Sequence, residues 1–137
     1  MTRIVAGSAK GRTLAVPKSG TRPTSERVRE ALFSRLDHMN VLNGTTVLDL
    51  YAGTGALGLE ALSRGSTRAT LVEKSSGAAR VASANVRSTG LPARVVTADA
   101  RAYLCARTGE DLRGDVDLVF IDPPYDIAED DMTTVLS

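Results

Sequence analysis

The chain has 137 residues, of which 42% are hydrophobic and 24% charged, which fits one globular domain and argues against disordered and fibrous proteins. One cysteine excludes an internal disulfide, and with one histidine it leaves no cluster at metal-ligand spacing, so we expect no metal. The net charge is +1 and no run of about 18 apolar residues is present, so we expect a cytoplasmic protein that does not engage a membrane.

The front of the chain is basic although the chain as a whole is nearly neutral. Residues 1–40 contain eight Lys or Arg and three acids, a net charge of +5, whereas the remaining 97 residues contain nine bases and thirteen acids, a net charge of −4. A basic segment on an acidic domain is typical of proteins that attract phosphate backbones. Many basic segments are only solvated surface, so this pattern alone leaves both interpretations open.

The first element in chain order is an extended hairpin. Residues 4–6 and 13–16 are extended segments on either side of the turn-prone residues 7–11. We assign residues 1–20 to a basic hairpin arm and residues 21–137 to the main domain.

A helix follows the hairpin. Arg22-Pro23-Thr24-Ser25 supplies a helix breaker and an N-cap. The spacing of apolar residues beyond it predicts a buried helix face made of Val28, Ala31, Leu32 and Leu36.

Strands and helices alternate from residue 46 onward. This alternation predicts an α/β fold with a parallel sheet, because parallel neighbours need crossover connections. The pattern predicts a further helix from near Glu129, and the chain ends at Ser137 without a return to the sheet, so we expect the C-terminal part of the fold to be incomplete. The predicted strands are 46–50, 69–73, 93–97 and 116–121, and the predicted helices between them are 56–64, 76–88 and 100–107.

A glycine-rich loop follows the first of these strands. Its residues 53–58, Gly-Thr-Gly-Ala-Leu-Gly, fit the fingerprint of a dinucleotide site, and Glu73 lies 20 residues beyond Gly53. Such a loop serves the pyrophosphate of NAD or S-adenosylmethionine equally well. Asp49 favours the second ligand, because its carboxylate would repel a pyrophosphate and attract an ammonium and a sulfonium. The alternative is that Asp49 only caps the loop.

Two further acids follow strands in the same pattern. Glu73 can accept both ribose hydroxyls, or it is an exposed acid at a strand end. Asp99 can accept an adenine amino proton, or it is a helix N-cap. The predicted cofactor-binding residues are Asp49, Tyr51, Ala52, Gly53, Thr54, Gly55, Glu73, Lys74, Asp99, Ala100 and Asp122.

The fourth strand runs into Asp122-Pro123-Pro124-Tyr125, which we predict to be the catalytic residues. Two prolines remove two backbone donors and fix the direction of the carbonyls, so this segment offers mainly hydrogen-bond acceptors. The lone pair of an exocyclic base amine is delocalised into the ring, and acceptors on its two N–H bonds favour the pyramidal form that attacks a methyl group. Asp122 and the Pro123 carbonyl can supply those acceptors. Tyr125 offers a face for base stacking, about 1–3 kcal/mol in comparable sites.

These motifs carry a resemblance to a known family. The glycine loop together with Asp-Pro-Pro-Tyr resembles the Rossmann-like class I methyltransferases that act on amino nitrogens. The segments 4–7, 10–12, 22–24 and 27–33 are similar to the bacterial small-subunit ribosomal RNA guanine-N2 methyltransferases usually called RsmD, over essentially the whole chain. Members of that family continue through further strands.

The resemblance implies a function and its partners. It implies S-adenosylmethionine as cofactor and methylation of the N2 amine of one guanine in small-subunit ribosomal RNA, within an assembled or partly assembled subunit. Alternatives are an adenine-N6 nucleic-acid methyltransferase, an NAD-dependent oxidoreductase and a noncatalytic RNA-binding domain. The predicted substrate-binding residues are Arg3, Lys10, Arg12, Arg22, Thr24 and Tyr125, although Arg22 and Thr24 also suit the start of a capped helix.

Overall fold

The computed structural model describes residues 2–16, 26–106 and 116–123. In this part of the chain a two-stranded antiparallel sheet precedes a four-stranded parallel sheet, which confirms the predicted α/β fold. None of the described helices combines the length and the apolar character needed to cross a membrane. The strands are β1 Thr2–Arg3, β2 Thr13–Leu14, β3 Thr46–Asp49, β4 Arg68–Glu73, β5 Ala93–Thr97 and β6 Leu118–Phe120, and the helices are α1 Glu26–His38, α2 Ala56–Ser63, α3 Ser76–Thr89 and α4 Ala100–Ala106.

The parallel sheet has the strand order β5-β4-β3-β6. The chain moves outward from β3 through β4 to β5 and then returns to the other side of β3, where β6 pairs with it. In register, Asp49 of β3 lies between Leu71 of β4 and Phe120 of β6. The order therefore reverses between β3 and β6, and the crevice at the carboxyl ends of such strands is where open α/β sheets bind ligands.

Alternate residues of the central strands pack into two separate cores. Val47 and Leu71 belong to the larger core, which includes the apolar side chains of α2. Leu48 and Val72 belong to a smaller core with Ala100, the first residue of α4. Because successive side chains of a strand point to opposite faces, α2 and α4 cover opposite faces of the sheet. The sheet is thus buried on both sides, as parallel sheets usually are.

The hairpin packs against α2 and contributes to the larger core. Ile4 and Leu14 are fully buried within that core. At the turn, Ala9 donates its backbone N–H to the Ser63 hydroxyl at 2.9 Å. The prediction that residues 4–6 form the first strand was wrong, because the paired residues are Thr2–Arg3 and the chain then bends to reach α2. The predicted domain boundary after residue 20 lies outside the described residues.

Helix α1 buries a different face from the one predicted. Its buried side chains are those of Arg29 and Phe33, and Leu36 is half-buried. The Phe33 ring lies 5.5 Å from that of Phe120, measured between centroids. The predicted buried face was wrong at three of its four positions. These three residues are exposed: Val28 (56%), Leu32 (37%) and Ala31.

The buried carboxylate of Glu60 on α2 explains why α1 buries the face that carries Arg29 and not the predicted face. It accepts hydrogen bonds from Arg29 Nε at 3.2 Å and Arg64 Nε at 2.9 Å. It also accepts the backbone N–H groups of Val5 at 2.9 Å and Ala6 at 3.1 Å. Arg29 further donates to the Thr2 hydroxyl and to the Arg3 carbonyl. A buried charge is tolerated only when it is paired and hydrogen-bonded, so α1 must turn Arg29 inward.

The substitution Glu60→Gln should lower the free energy of unfolding by about 3–5 kcal/mol, because it leaves Arg29 buried without its counter-charge. Urea denaturation measures this loss. Glu30→Gln is the matched control, since Glu30 is exposed on the same helix as Arg29 and should change stability by no more than about 0.5 kcal/mol. Equal losses in the two variants would contradict the structural role of Glu60.

Candidate functional site

Three carboxylates meet at the carboxyl end of the parallel sheet. Asp49 is the last residue of β3, and Glu73 is the last residue of β4, its neighbour. Asp122 follows β6 by two residues, on the other side of β3. Both Asp122 and Glu73 interact electrostatically with Asp49. The sheet order therefore brings together three acids that are far apart in sequence.

Asp49 is fully buried, and neither of its carboxylate oxygens has a hydrogen-bond partner among the described residues. Burial raises its pKa from 3.8 to about 7, and the negative charges of Asp122 and Glu73 add to the rise. The backbone N–H groups of Gly58 and Tyr51 partly oppose this shift without making a hydrogen bond of ordinary geometry. An unpaired buried acid costs free energy, so this position is suited to a cationic ligand.

The glycine loop between β3 and α2 lies over the end of β4. Ala52 donates its N–H to the Val72 carbonyl at 3.0 Å, and Gly53 donates its N–H to Glu73 Oε1 at 2.8 Å. Gly53 has φ of +57°, a conformation that favours glycine, and a Cβ placed there would meet nothing within 4 Å. The turn is therefore open on the side where a ligand can approach the backbone.

The third glycine of the fingerprint has a packing role instead. A Cβ at Gly58 would lie 2.3 Å from Leu71 Cδ2, so a larger residue there would have to displace this buried side chain. This contact sets the position of the first turn of α2 beneath the loop. The spacing of glycines in the sequence thus reflects both an open turn and close helix–strand packing.

Asn85 is a site-supporting residue that sequence reasoning missed. Its buried side chain on α3 donates to the Thr54 carbonyl in the glycine loop at 2.9 Å. It also pairs with Ala15 in both directions, accepting the N–H at 2.8 Å and donating to the carbonyl at 3.1 Å. Asn85 therefore joins the hairpin to the loop. Only its position in an otherwise apolar and small-residue helix face could have signalled this role.

Glu73 and Asp99 also organise local backbone. The two Glu73 oxygens accept the N–H groups of Gly53 and of Ser75, each at 2.8 Å. Asp99 is exposed and caps α4 by accepting the Ala102 N–H at 3.1 Å. Each carboxylate oxygen has two lone pairs, so both groups keep acceptor capacity for a ligand. Their predicted contacts to ribose and adenine remain predictions.

The other predicted cofactor residues lie around the same strand ends. Tyr51 is half-buried against the smaller core, and Lys74 is exposed directly after β4. The loop residues Ala52 and Thr54 and the helix residue Ala100 are buried.

The predicted base-binding segment is described only at its start. Asp122 is exposed and Pro123 is half-buried, directly after β6. Pro124 and Tyr125 lie outside the described residues. The described part of the chain contains no group of three His, Cys, Asp or Glu side chains arranged to hold a metal ion.

The predicted substrate-binding cations of the hairpin do not lie at the carboxylate site. Arg3, Lys10 and Arg12 are exposed, and Arg3 lies 3.8 Å from Glu26. Lys10 follows Ala9, which is bonded to Ser63 at the far end of α2, about 12 Å along the helix from the glycine loop. Arg22 and Thr24 lie outside the described residues.

Comparisons with known proteins find a matching family and relatives that are named methyltransferases. Residues 2–137 match the family described as Conserved hypothetical protein 95. Ribosomal RNA small subunit methyltransferase D of Escherichia coli is 41% identical over 125 residues, 90% of this chain, and its namesake in Haemophilus influenzae is 35% identical over 127 residues. The chain spans 60% of the E. coli relative and 63% of the H. influenzae relative.

A solved structure has the same fold. A hypothetical protein of Thermus thermophilus superposes with a TM-score of 0.86 at 38% identity, covering 99% of this chain and 77% of the other. The similarity extends over both the hairpin and the parallel sheet, since nearly all of the chain is aligned. The Rossmann-like sheet with an N-terminal hairpin is therefore shared with that protein.

The buried acid makes the stability of the ligand-free chain depend on pH. The pKa of Asp49 is 3.8 when unfolded and about 7 when folded, so the folded chain binds more protons between these values and stability falls as pH rises through them. The loss is on the order of 4 kcal/mol. Asp49→Asn should remove this contribution and stabilise the chain above neutral pH, measured by urea denaturation across the range. Asp99→Asn, which keeps an N-cap, should retain the original dependence, and an unchanged dependence in Asp49→Asn would contradict the assignment.

Proposed function

Because the chain belongs to the family described as Conserved hypothetical protein 95, we propose that it is the cofactor- and base-binding part of an S-adenosylmethionine-dependent methyltransferase. Its substrate is the exocyclic N2 amine of a guanine in bacterial small-subunit ribosomal RNA. The chain spans 60% of its E. coli relative, so its activity, its substrate and its partner are all part of this proposal.

The unpartnered carboxylate of Asp49 is the observation that carries the proposal. Among the described residues it has no hydrogen-bond partner, and it lies beneath an open glycine turn with two further acids nearby, so the site is negative where a ligand approaches. An ammonium or sulfonium group satisfies that charge, whereas the pyrophosphate of NAD would be repelled by it. The glycine spacing alone does not distinguish these ligands, whereas Asp49 favours the cationic one.

The residues around the turn fit the rest of such a cofactor. When bound, S-adenosylmethionine supplies an electrophilic methyl group. Asp49 offers its charge to the amino-acid end, and Glu73 offers its free lone pairs to the ribose hydroxyls. Asp99 can accept the adenine amino proton with the oxygen that does not cap α4.

The base side of the site depends on Asp122 and Pro123. The Asp122 carboxylate and the Pro123 carbonyl would accept hydrogen bonds from the two N–H groups of the amine and would hold it in the pyramidal form that can attack a methyl group. Asp122 can take the amine proton late in the transfer, and Tyr125 stacks on the flipped base. Correct alignment of the reacting atoms supplies a large share of the acceleration, about 7 kcal/mol or more in well-oriented systems.

The substrate assignment is supported by charge and by the relatives. The net charge of +5 in residues 1–40 suits a phosphate-rich partner. The names of the E. coli and H. influenzae relatives refer to small-subunit ribosomal RNA. We propose that the same RNA is methylated here, in an assembled or partly assembled subunit.

Asp122→Ala should lower methyl transfer by at least about 100-fold, because it removes an acceptor that acts on the reacting amine. The measurement is incorporation of labelled methyl groups into small-subunit particles, with duplex DNA as a parallel substrate. Asp37→Ala is the control, since Asp37 is an exposed acid on α1 whose ion pair with Arg64 lies at the far end of α2 from the glycine loop. Equal activity of Asp122→Ala and Asp37→Ala would remove Asp122 from the mechanism, and transfer to DNA adenine in place of the particles would change the substrate.

Binding of S-adenosylhomocysteine tests the cofactor assignment separately. Calorimetric titration should show that the chain binds it and does not bind NADH. Asp49→Asn should weaken binding about 10- to 100-fold through loss of a charge-assisted contact, while Asp37→Asn should not. Binding of NADH in preference to S-adenosylhomocysteine would contradict the proposal.

A further inference from the structure

A second basic surface lies at the outer edge of the sheet, where α3 packs beside the edge strand β5. It is a groove with a volume of about 350 Å³. Its lining includes Val95. Two arginines and three hydroxyl side chains also line it: Arg80, Arg87, Ser76, Ser83 and Thr97. We call this feature the α3–β5 groove.

The segment that forms the α3–β5 groove carries no acid. Residues 74–98 contain Lys74, Arg80, Arg87 and Arg94, a charge of +4, whereas the other 112 residues contain 13 bases and 16 acids, a charge of −3. The acids that flank the segment, Glu73 and Asp99, each accept backbone N–H groups. The segment is therefore a second concentration of positive charge, separate from the basic front of the chain.

Among the described residues, the two groove arginines have no ion-pair partner. Arg29 and Arg64, in contrast, are both paired with Glu60. Both groove arginines are exposed. Their charges are thus available to an external partner.

The spacing of these arginines suits a phosphate backbone. Arg80 and Arg87 are seven residues apart on α3, so they lie on one face about 10.5 Å apart. One strand of a duplex carries a phosphate about every 3.4 Å along its axis, so this span covers roughly three phosphates. Ser83 lies between them and adds a hydroxyl donor. Protein partners usually require an aromatic or aliphatic centre, and this groove offers only Val95 and Ala79 as apolar lining.

The α3–β5 groove leads to the candidate site. Ser76 and Thr97 line the end of the groove nearest the carboxyl end of the sheet, and Thr97 lies opposite Glu73 in register. Three strand spacings separate β5 from β6, about 14 Å in all. A strand held by Arg80 and Arg87 therefore reaches the edge of the sheet within a few nucleotides of Asp122.

We propose that the α3–β5 groove binds the phosphate backbone of the RNA strand next to the modified nucleotide, with Arg80 and Arg87 as its phosphate contacts. The inference rests on the proposed function for the choice of RNA. It adds a surface distinct from the hairpin cations Arg3, Lys10 and Arg12, none of which lines the groove.

The test compares three single variants of equal charge. Arg80→Ala and Arg87→Ala each remove one groove cation, and Arg68→Ala removes one exposed arginine that lies neither in the groove nor in the basic front of the chain. Affinity for a protein-free fragment of small-subunit ribosomal RNA is measured by fluorescence anisotropy at several salt concentrations. The slope of log K against log salt should become shallower in each groove variant by between about 0.7, the value for one lost contact on a single strand, and about 0.9, the value on a duplex, and by much less in the control.

Two further measurements keep the outcomes separate. Affinity for S-adenosylhomocysteine and thermal stability should be unchanged in all three alanine variants, and Arg80→Lys and Arg87→Lys should each restore most of the slope because lysine keeps the charge. Equal slopes in the groove and control variants overturn this inference. So does a groove variant that binds free RNA normally and loses affinity only for small-subunit particles, since that result assigns the groove to a protein component.

Failure of the proposed function gives a different result. In that case the unsubstituted chain transfers no methyl group to small-subunit particles. Retained transfer with equal salt slopes contradicts the α3–β5 groove alone.

Discussion

The buried carboxylate of Glu60 is the interaction on which the arrangement of this protein depends. It accepts Arg29, Arg64 and two backbone N–H groups of the hairpin, so one group joins α1, α2 and residues 2–16. A buried ion pair adds little net stability compared with apolar residues, but breaking it is costly. We infer that Glu60 acts chiefly by excluding other arrangements. Once it is satisfied, the hairpin must lie along α2 and Arg29 must face inward.

Asp49 presents the opposite solution to the same physical problem. Glu60 and Asp49 are both buried, yet every requirement of Glu60 is met within the fold, whereas Asp49 has no hydrogen-bond partner among the described residues. Burial raises the pKa of Asp49 to about 7, which records the cost of its charge in the ligand-free chain. A cationic ligand would offset that cost, so the free energy lost by burying the carboxylate would contribute to ligand affinity. The open turn at Gly53 and the carboxylate of Glu73, which accepts two backbone N–H groups, complete the site.

The charged residues of this protein have several roles, and a net charge does not distinguish a buried structural cation from an exposed one. The basic front of the chain includes Arg29, which is structural, and Lys10, which lies at the far end of α2 from the glycine loop. The cations Arg80 and Arg87 belong to residues 74–98, a segment with a charge of +4 within residues 41–137, whose overall charge is −4. Asn85 of α3 links the hairpin to the glycine loop, since it bonds both Ala15 after the hairpin and Thr54 in the loop. The α3–β5 groove and the carboxylate site thus lie on neighbouring elements of the fold.

The local sequence pattern alone was enough to predict the order of strands and helices and the positions of the candidate acids. The alternation of strands and helices, the turn at residues 53–55 and the acids at strand ends follow from short-range spacing, so the α/β fold could be predicted and Asp49, Glu73 and Asp122 could be named as candidate site residues. Features that depend on distant residues could not. The buried face of α1 was set by Glu60, 31 positions from Arg29, and it overrode an apolar periodicity that pointed to Val28 and Leu32. The lack of a partner for Asp49 among the described residues and the groove between α3 and β5 likewise exist only after packing, because burial and hydrogen-bond satisfaction are properties of assembled surfaces.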